Sequence, residues 1–148
     1  MALKIEPLEA EREASLRRLL AANPFIQFIG IQVPQLGRGY ARFVLPVRHE
    51  LTNTIGLLQG GVLAALADEA VAYALYSLVP AGETFNTVEM KINYLAAVKE
   101  GEVEAIARIP KRGRTISLGE VEMRQGEKLV AKALCTYIHL PLRPSARE

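Results

Sequence analysis

The chain has little of several things on which common functions rest. Its 148 residues include one cysteine and two histidines, so no internal disulfide is possible, and Cys135, His49 and His139 are too few and too scattered to make a metal site. Cys135 lies in the apolar run Ala133 to Tyr137, the setting of a buried and inert thiol, and this cysteine usage suits a reducing cytosol. No apolar signal core follows Met1. The first residues carry Glu6, Glu9, Glu11 and Glu13 instead, so a cytoplasmic location is expected. An excess of one charge is also missing: eighteen basic residues against sixteen acidic ones leave a net charge of +2, too small to act as an electrostatic footprint for nucleic acid. The longest apolar stretch, Val62 to Val79, approaches a membrane span in length. Asp68 and Glu69 near its middle would be costly in lipid, so the stretch reads as a helix buried in protein rather than in a membrane. Between the start of that helix and Thr115 the only aromatic residues are Tyr73, Tyr76, Phe85 and Tyr94, which makes no evident aromatic cage. There is no internal repeat or low-complexity tract.

What is present describes one domain with a real core, since half of the residues are hydrophobic and the length is short for two domains. From Pro7 to Ala22, Leu8, Leu16, Leu19 and Leu20 fall roughly on one helical face. Pro7 is placed to open this helix and Asn23-Pro24 to close it; residues 1–24 are read as an N-terminal helix that packs at the edge of the core or lies over it. Residues 25–140 form the main domain. Its first strands are expected at Phe25 to Gln35 and Tyr40 to Val47, with Gly37-Arg38-Gly39 as the hairpin turn. Residues 49–61 read as a loop feeding a helix over Gly60 to Val79, apolar on nearly every face and therefore central. Four strands follow, at Thr84 to Ala96, Gly101 to Lys111, Thr115 to Arg124 and Lys128 to Leu140. Lys99-Glu100-Gly101, Arg112-Gly113-Arg114 and Gln125-Gly126-Glu127 have hairpin length, which predicts a four-stranded antiparallel meander. Residues 141–148 read as a loosely held tail. The whole is an α+β arrangement, a curved antiparallel sheet around one long helix. Such a sheet covers only part of the helix, and dimerisation is the expected cover for the remainder.

The loop before the central helix carries a recognisable pattern. Asn53-Thr-Ile-Gly56-Leu-Leu-Gln59-Gly60-Gly61, followed by Leu66-Ala-Asp68, resembles the N-x-x-G-x-x-H-G-G-x-x-x-x-L-x-D signature of hotdog-fold thioesterases of the phenylacetic-acid, PaaI-like branch. The resemblance extends over residues 30–140 and takes in TVEMKINYLAAVKEG (Thr87 to Gly101) and GRTISLGEVEM (Gly113 to Met123). It implies a hotdog fold, hydrolysis of an acyl-CoA thioester, no cofactor beyond the CoA of the substrate, and a homodimer that in many relatives pairs further into a homotetramer.

The chemistry of the pattern has a physical basis. A helix N-terminus offers free N–H groups and the favourable end of a dipole, and a thioester carbonyl becomes more electrophilic when its oxygen accepts from them. Gly60 sits there with no side chain to block approach, and one such donor is worth roughly 3 kcal/mol of transition-state stabilisation. Gly61 keeps the surrounding backbone uncrowded; the competing reading is that the two glycines only permit a tight turn. Asp68 follows eight residues later, about 12 Å along the helix, so one chain cannot bring both groups to one carbonyl. The resemblance implies that Asp68 of one subunit meets Asn53, Gln59 and Gly60 of the other, in two equivalent sites. Asp68 would serve as nucleophile or as general base, and the sequence leaves both open; the plainer reading is that Asp68 and Glu69 form a polar patch where the helix emerges. Glu69 points about 100° away around the helix and cannot share the role. The resemblance gives Thr87 a hydroxyl that orients the attacking water, beside the plainer reading of a strand-forming threonine. Gln59 departs from the pattern, standing where many relatives have histidine: it can hydrogen-bond but cannot titrate near neutrality. His49 and His139 occupy no equivalent position. Lys111, Arg112 and Arg114 cluster at one turn, where they would meet the phosphates of CoA or simply form a charged surface. The alternative function is a hotdog protein that binds or senses acyl-CoA without cleaving it, for which Gln59 is the main argument. A dehydratase would need a histidine beside the aspartate, and none is suitably placed.

Overall fold

The computed structural model describes residues 4–142. The N-terminal region holds two helices. In α1 (Ala10–Ala22), Leu16 and Leu20 are buried one turn apart, and the helix begins at Ala10 rather than at Pro7. Arg12 fastens it to the core by donating from Nη2 to the carbonyl oxygen of Tyr76 at 2.7 Å and to that of Val79, so α1 is a packing element. A second helix, α2 (Pro24–Ile29), occupies part of the stretch that strand propensity assigned to the first strand. Asn23 ends α1 and starts α2: its Oδ1 accepts from the N–H of Phe25 at 3.1 Å and of Ile26 at 3.2 Å, while Pro24 stands at a first-turn position that suits proline. The dipeptide read as a stop signal is also a start signal. Gly30, at φ 85°, closes α2 in the left-handed conformation.

Six strands form one antiparallel sheet: β1 (Gln32–Gly37), β2 (Tyr40–Pro46), β3 (Glu83–Tyr94), β4 (Glu102–Arg112), β5 (Ile116–Gln125) and β6 (Lys128–Pro141), in the order β1-β2-β4-β5-β6-β3. The turns at Arg112-Gly113-Arg114 and Gln125-Gly126-Glu127 are hairpins as expected, but Lys99-Glu100-Gly101 is not. β3 pairs with β6 on the far edge, and the chain then crosses so that β4 lies beside β2. The crossing is anchored on the way: Val98 is buried and its carbonyl accepts from Leu58 N–H at 2.7 Å, while that of Gly101 accepts from Val47 N–H at 2.8 Å. Turn chemistry is local, whereas strand order is decided by such distant bonds. The tail expected over 141–148 lies outside the described residues from 143 onward, and Pro141 is the last residue of β6.

The central helix α3 (Gly60–Tyr76) crosses the concave face of the sheet. Leu66, Ala67, Ala70, Val71, Ala74 and Leu75 are fully buried. The opposite stripe, Gly61, Ala64, Ala65, Asp68 and Ala72, stays half-buried or exposed, so within one chain the helix is not wrapped on all sides. Sheet and helix approach closely at Gly119 of β5, where a Cβ would collide with Val71 Cγ1. Gly119→Ala should therefore lower stability by about 1–3 kcal/mol, read as a lower midpoint in urea denaturation; an unchanged midpoint would show that α3 can move off the sheet without cost.

Candidate active site

The N-terminal end of α3 is prepared by the loop before it. Asn53 Oδ1 accepts from the N–H groups of Ile55 and Leu57, both at 3.1 Å, and its main chain closes the same turn through Leu57 and Gly56. Its amide group has no partner among the described residues. The Gln59 N–H donates to Leu51 O at 2.9 Å, but the exposed Gln59 side chain caps nothing. Val62 and Leu63 donate back to Gln59 O, which leaves the Gly60 and Gly61 N–H groups without acceptors among the described residues. A helix end in this state offers free N–H donors to an anion or to the negative end of a dipole. Tyr94 closes one side: its hydroxyl donates to Gly60 O at 3.1 Å, and a Cβ on Gly60 would touch its ring at 3.4 Å. Around them lies a pocket of about 370 Å³ lined by residues that include Asn53, Leu57, Gly60, Leu63, Tyr94 and Leu95. Asp68 is not among its lining residues.

Asp68 occupies the half-buried face of α3 with a different set of neighbours. Its Oδ1 accepts from Thr87 Oγ1 at 2.9 Å and from the Tyr137 hydroxyl at 2.8 Å. Thr87 and Tyr94 lie seven residues apart on β3, an odd spacing that would send them to opposite faces of a regular strand. A bulge at Val88, between the pairs Thr87↔Tyr137 and Glu89↔Thr136, reverses the alternation and turns both toward α3. Tyr137 went unrecognised from the sequence, because only the register of β6 against β3 brings it to Asp68. Burial above all, then the negative charge of Asp68, pushes its phenol well above the usual range. Glu69 is turned away, as its place on the helix requires. It meets Asn23 Nδ2 at 3.5 Å, and burial, followed by the charge of Asp68, raises its carboxyl above the ordinary glutamate value.

The basic turn is less uniform than its sequence. Arg112 is engaged with Glu83 Oε2 at 2.8 Å and with Gly113 O at 2.7 Å, whereas Lys111 and Arg114 are exposed. Cross-strand pairs Arg112↔Ser117, Ser117↔Tyr137 and Tyr137↔Thr87 form one row through β4, β5, β6 and β3, so the turn lies at the end of the sheet toward Asp68. His49 is exposed in a 3-10 turn, and His139 Nε2 lies 2.7 Å from Ser117 Oγ. Cys135 is buried, and its thiol is pushed up to about 12 by burial first and then by the charge of Asp68, which leaves it inert.

The sequence profile of the thioesterase superfamily matches residues 55–132, from the loop before α3 into β6. A protein of Saccharolobus solfataricus provisionally named an esterase, SSO1253, is 32% identical over 126 residues, 84% of this chain and 83% of that protein. The 1,4-dihydroxy-2-naphthoyl-CoA hydrolase of Listeria monocytogenes is 28% identical over 109 residues, 73% of this chain and 89% of that enzyme. Among solved structures, the PaaI protein of E. coli superposes with a TM-score of 0.82 over 90% of this chain and 96% of its own at 22% identity, a likeness of fold. A profile spanning more than half of the residues and a relative of this identity over most of both lengths make the chain a member of the thioesterase superfamily, with the hotdog fold.

Proposed function

We propose that the protein hydrolyses acyl-CoA thioesters at sites shared by two copies of the chain, Asp68 of one copy acting on a carbonyl held by the Gly60 N–H of the other. The observation that carries this reading is the contrast between the two ends of the half-exposed helix face. One end has backbone donors with nothing to bind, and the other has a carboxylate whose Oδ1 is tied by two hydroxyls while Oδ2 accepts no hydrogen bond among the described residues.

A second copy supplies the missing neighbourhood. β3 is a twelve-residue edge strand that, among the described residues, pairs only with β6, and a long open edge invites pairing. The stripe of Gly61, Ala64, Ala65 and Ala72 beside Asp68 lets another helix approach closely. Two β3 strands joined antiparallel about a two-fold axis bring the Thr87 end of one to the Tyr94 end of the other, and with them Asp68 to Gly60. A relative that hydrolyses a naphthoyl-CoA supports CoA thioesters as the substrate class.

Whether Asp68 takes a proton from an attacking water or attacks the carbonyl carbon itself to give a mixed anhydride that water opens, the balance is the same. Water adds across the C–S bond to give the acid and the thiol. A thiol ionises near about 8.5, so its thiolate leaves with little help from an acid, and Gln59 in place of histidine is compatible with hydrolysis. With Arg112 held by Glu83, Lys111 and Arg114 are the residues free to meet the nucleotide phosphates.

Asp68→Asn should lower kcat for thiol release from acyl-CoA by at least about a hundredfold. An unchanged rate would remove the assignment, and thermal stabilisation of the unaltered protein by acyl-CoA with no thiol release would favour a binding role instead. Arg114→Ala should raise KM for acyl-CoA far more than for a short thioester without the nucleotide; equal effects on both would exclude a phosphate contact.

A further inference from the structure

We infer that Tyr137 is a positioning residue of this site, holding Oδ1 of Asp68 together with Thr87 so that Oδ2 is the oxygen that reacts. The inference rests on the role proposed for Asp68 and extends it to a residue on the opposite layer of the fold. Tyr137 lies on the inner face of β6, 1% exposed, and its ring is gripped by Phe85 edge to face at 5.3 Å between centroids. A buried phenol must find an acceptor. The Asp68 main-chain oxygen, 3.1 Å away, would satisfy that need alone, yet the shorter contact, 2.8 Å, is to the side chain. Because burial and the neighbouring negative charge both oppose its ionisation, the hydroxyl remains a donor at any working pH.

Two donors on one carboxylate oxygen do more than one. A carboxylate is free to rotate about its Cβ–Cγ bond, and a single hydrogen bond leaves the other oxygen a wide arc. Thr87 from β3 and Tyr137 from β6 reach Oδ1 from two strands of the rigid sheet, which sets the carboxylate plane and commits Oδ1. Oδ2 keeps its lone pairs for a proton or for a carbonyl carbon, so the inference holds for either role of Asp68. Thr87, whose only hydroxyl proton goes to Asp68, is left to act toward water or substrate as an acceptor.

The chain contains a single aspartate, which makes a direct test available. Cell-free synthesis with aspartate labelled with carbon-13 at the side-chain carboxyl places one NMR-visible carboxyl in the protein, at Asp68. Tyr137→Phe, which keeps the ring and its packing on Phe85, should move that resonance and lower kcat about tenfold or more while KM stays within about twofold. In an Asp68→Asn background the same substitution should have no further effect on the rate. Thr87→Val, at an exposed position, should move the same resonance and tests the same oxygen if Tyr137→Phe fails to fold. A folded Tyr137→Phe protein with resonance and kcat unchanged, or one in which kcat and KM fall together with stability, overturns the inference. If the resonance moves but Asp68→Asn remains active, the proposed function is what fails, while the contact stands.

Discussion

Asp68 and Gly60 lie on one rigid helix about 12 Å apart, and no rotation of side chains can bring them to the same carbonyl. The proposal of a site shared by two chains follows from that separation. The sheet covers one side of α3 and leaves the other, with Asp68 among small residues, half-buried. β3, next to that open face, is an edge strand whose outer side has no partner among the described residues. The bulge at Val88 then aims Thr87 at Asp68 and Tyr94 at Gly60 from the same strand. In the proposed dimer these two groups of residues, one at each end of β3, are the halves of a site that an antiparallel two-fold pairing would bring together.

The two halves are kept apart chemically as well. At the helix start the loop satisfies itself through Asn53 and Leu51 and spends none of its acceptors on Gly60 or Gly61. At position 68 hydroxyl donors gather around the carboxylate, while one residue further the environment is the reverse. Glu69 is desolvated and faced by Asn23 from the α1–α2 junction. Adjacent carboxyl groups on one helix thus meet different surroundings: Asp68 meets hydroxyls of β3 and β6, and Glu69 meets Asn23 at the junction of α1 and α2.

The parts of this arrangement that were legible from the sequence are those carried by local spacing. Gly60, Gly61 and Asp68 sit on one helix because their intervals and the apolar run around them admit little else, and Asn53 belongs to the loop that feeds it. Long-range pairing was not legible. Lys99-Glu100-Gly101 has the chemistry of a hairpin, but the bonds from Leu58 to Val98 and from Val47 to Gly101 carry the chain across the sheet. Phe25 to Ile29 has strand-forming residues, and the side chain of Asn23 made it a helix. Tyr137 sits in an ordinary alternating strand, and nothing in its neighbours foretells the register that places its hydroxyl on Asp68. The basic turn read as one cluster is divided by Glu83, which claims Arg112 and leaves Lys111 and Arg114.

The central claim, that each site draws its carboxylate and its amide from different chains, is tested by mixing two inactive subunits. Asp68→Asn removes the carboxylate. Gly60→Pro removes the amide proton at the first helical residue, where proline is tolerated, and Gln59, with ψ at 132°, already has the extended conformation that precedes proline. Unfolded and refolded together in equal amounts, the two variants should recover roughly one quarter of the unaltered activity, because half of the dimers are mixed and each of those holds one intact site of two. Activity that stays at the level of the separate variants, with mixed dimers demonstrated, would contradict the account.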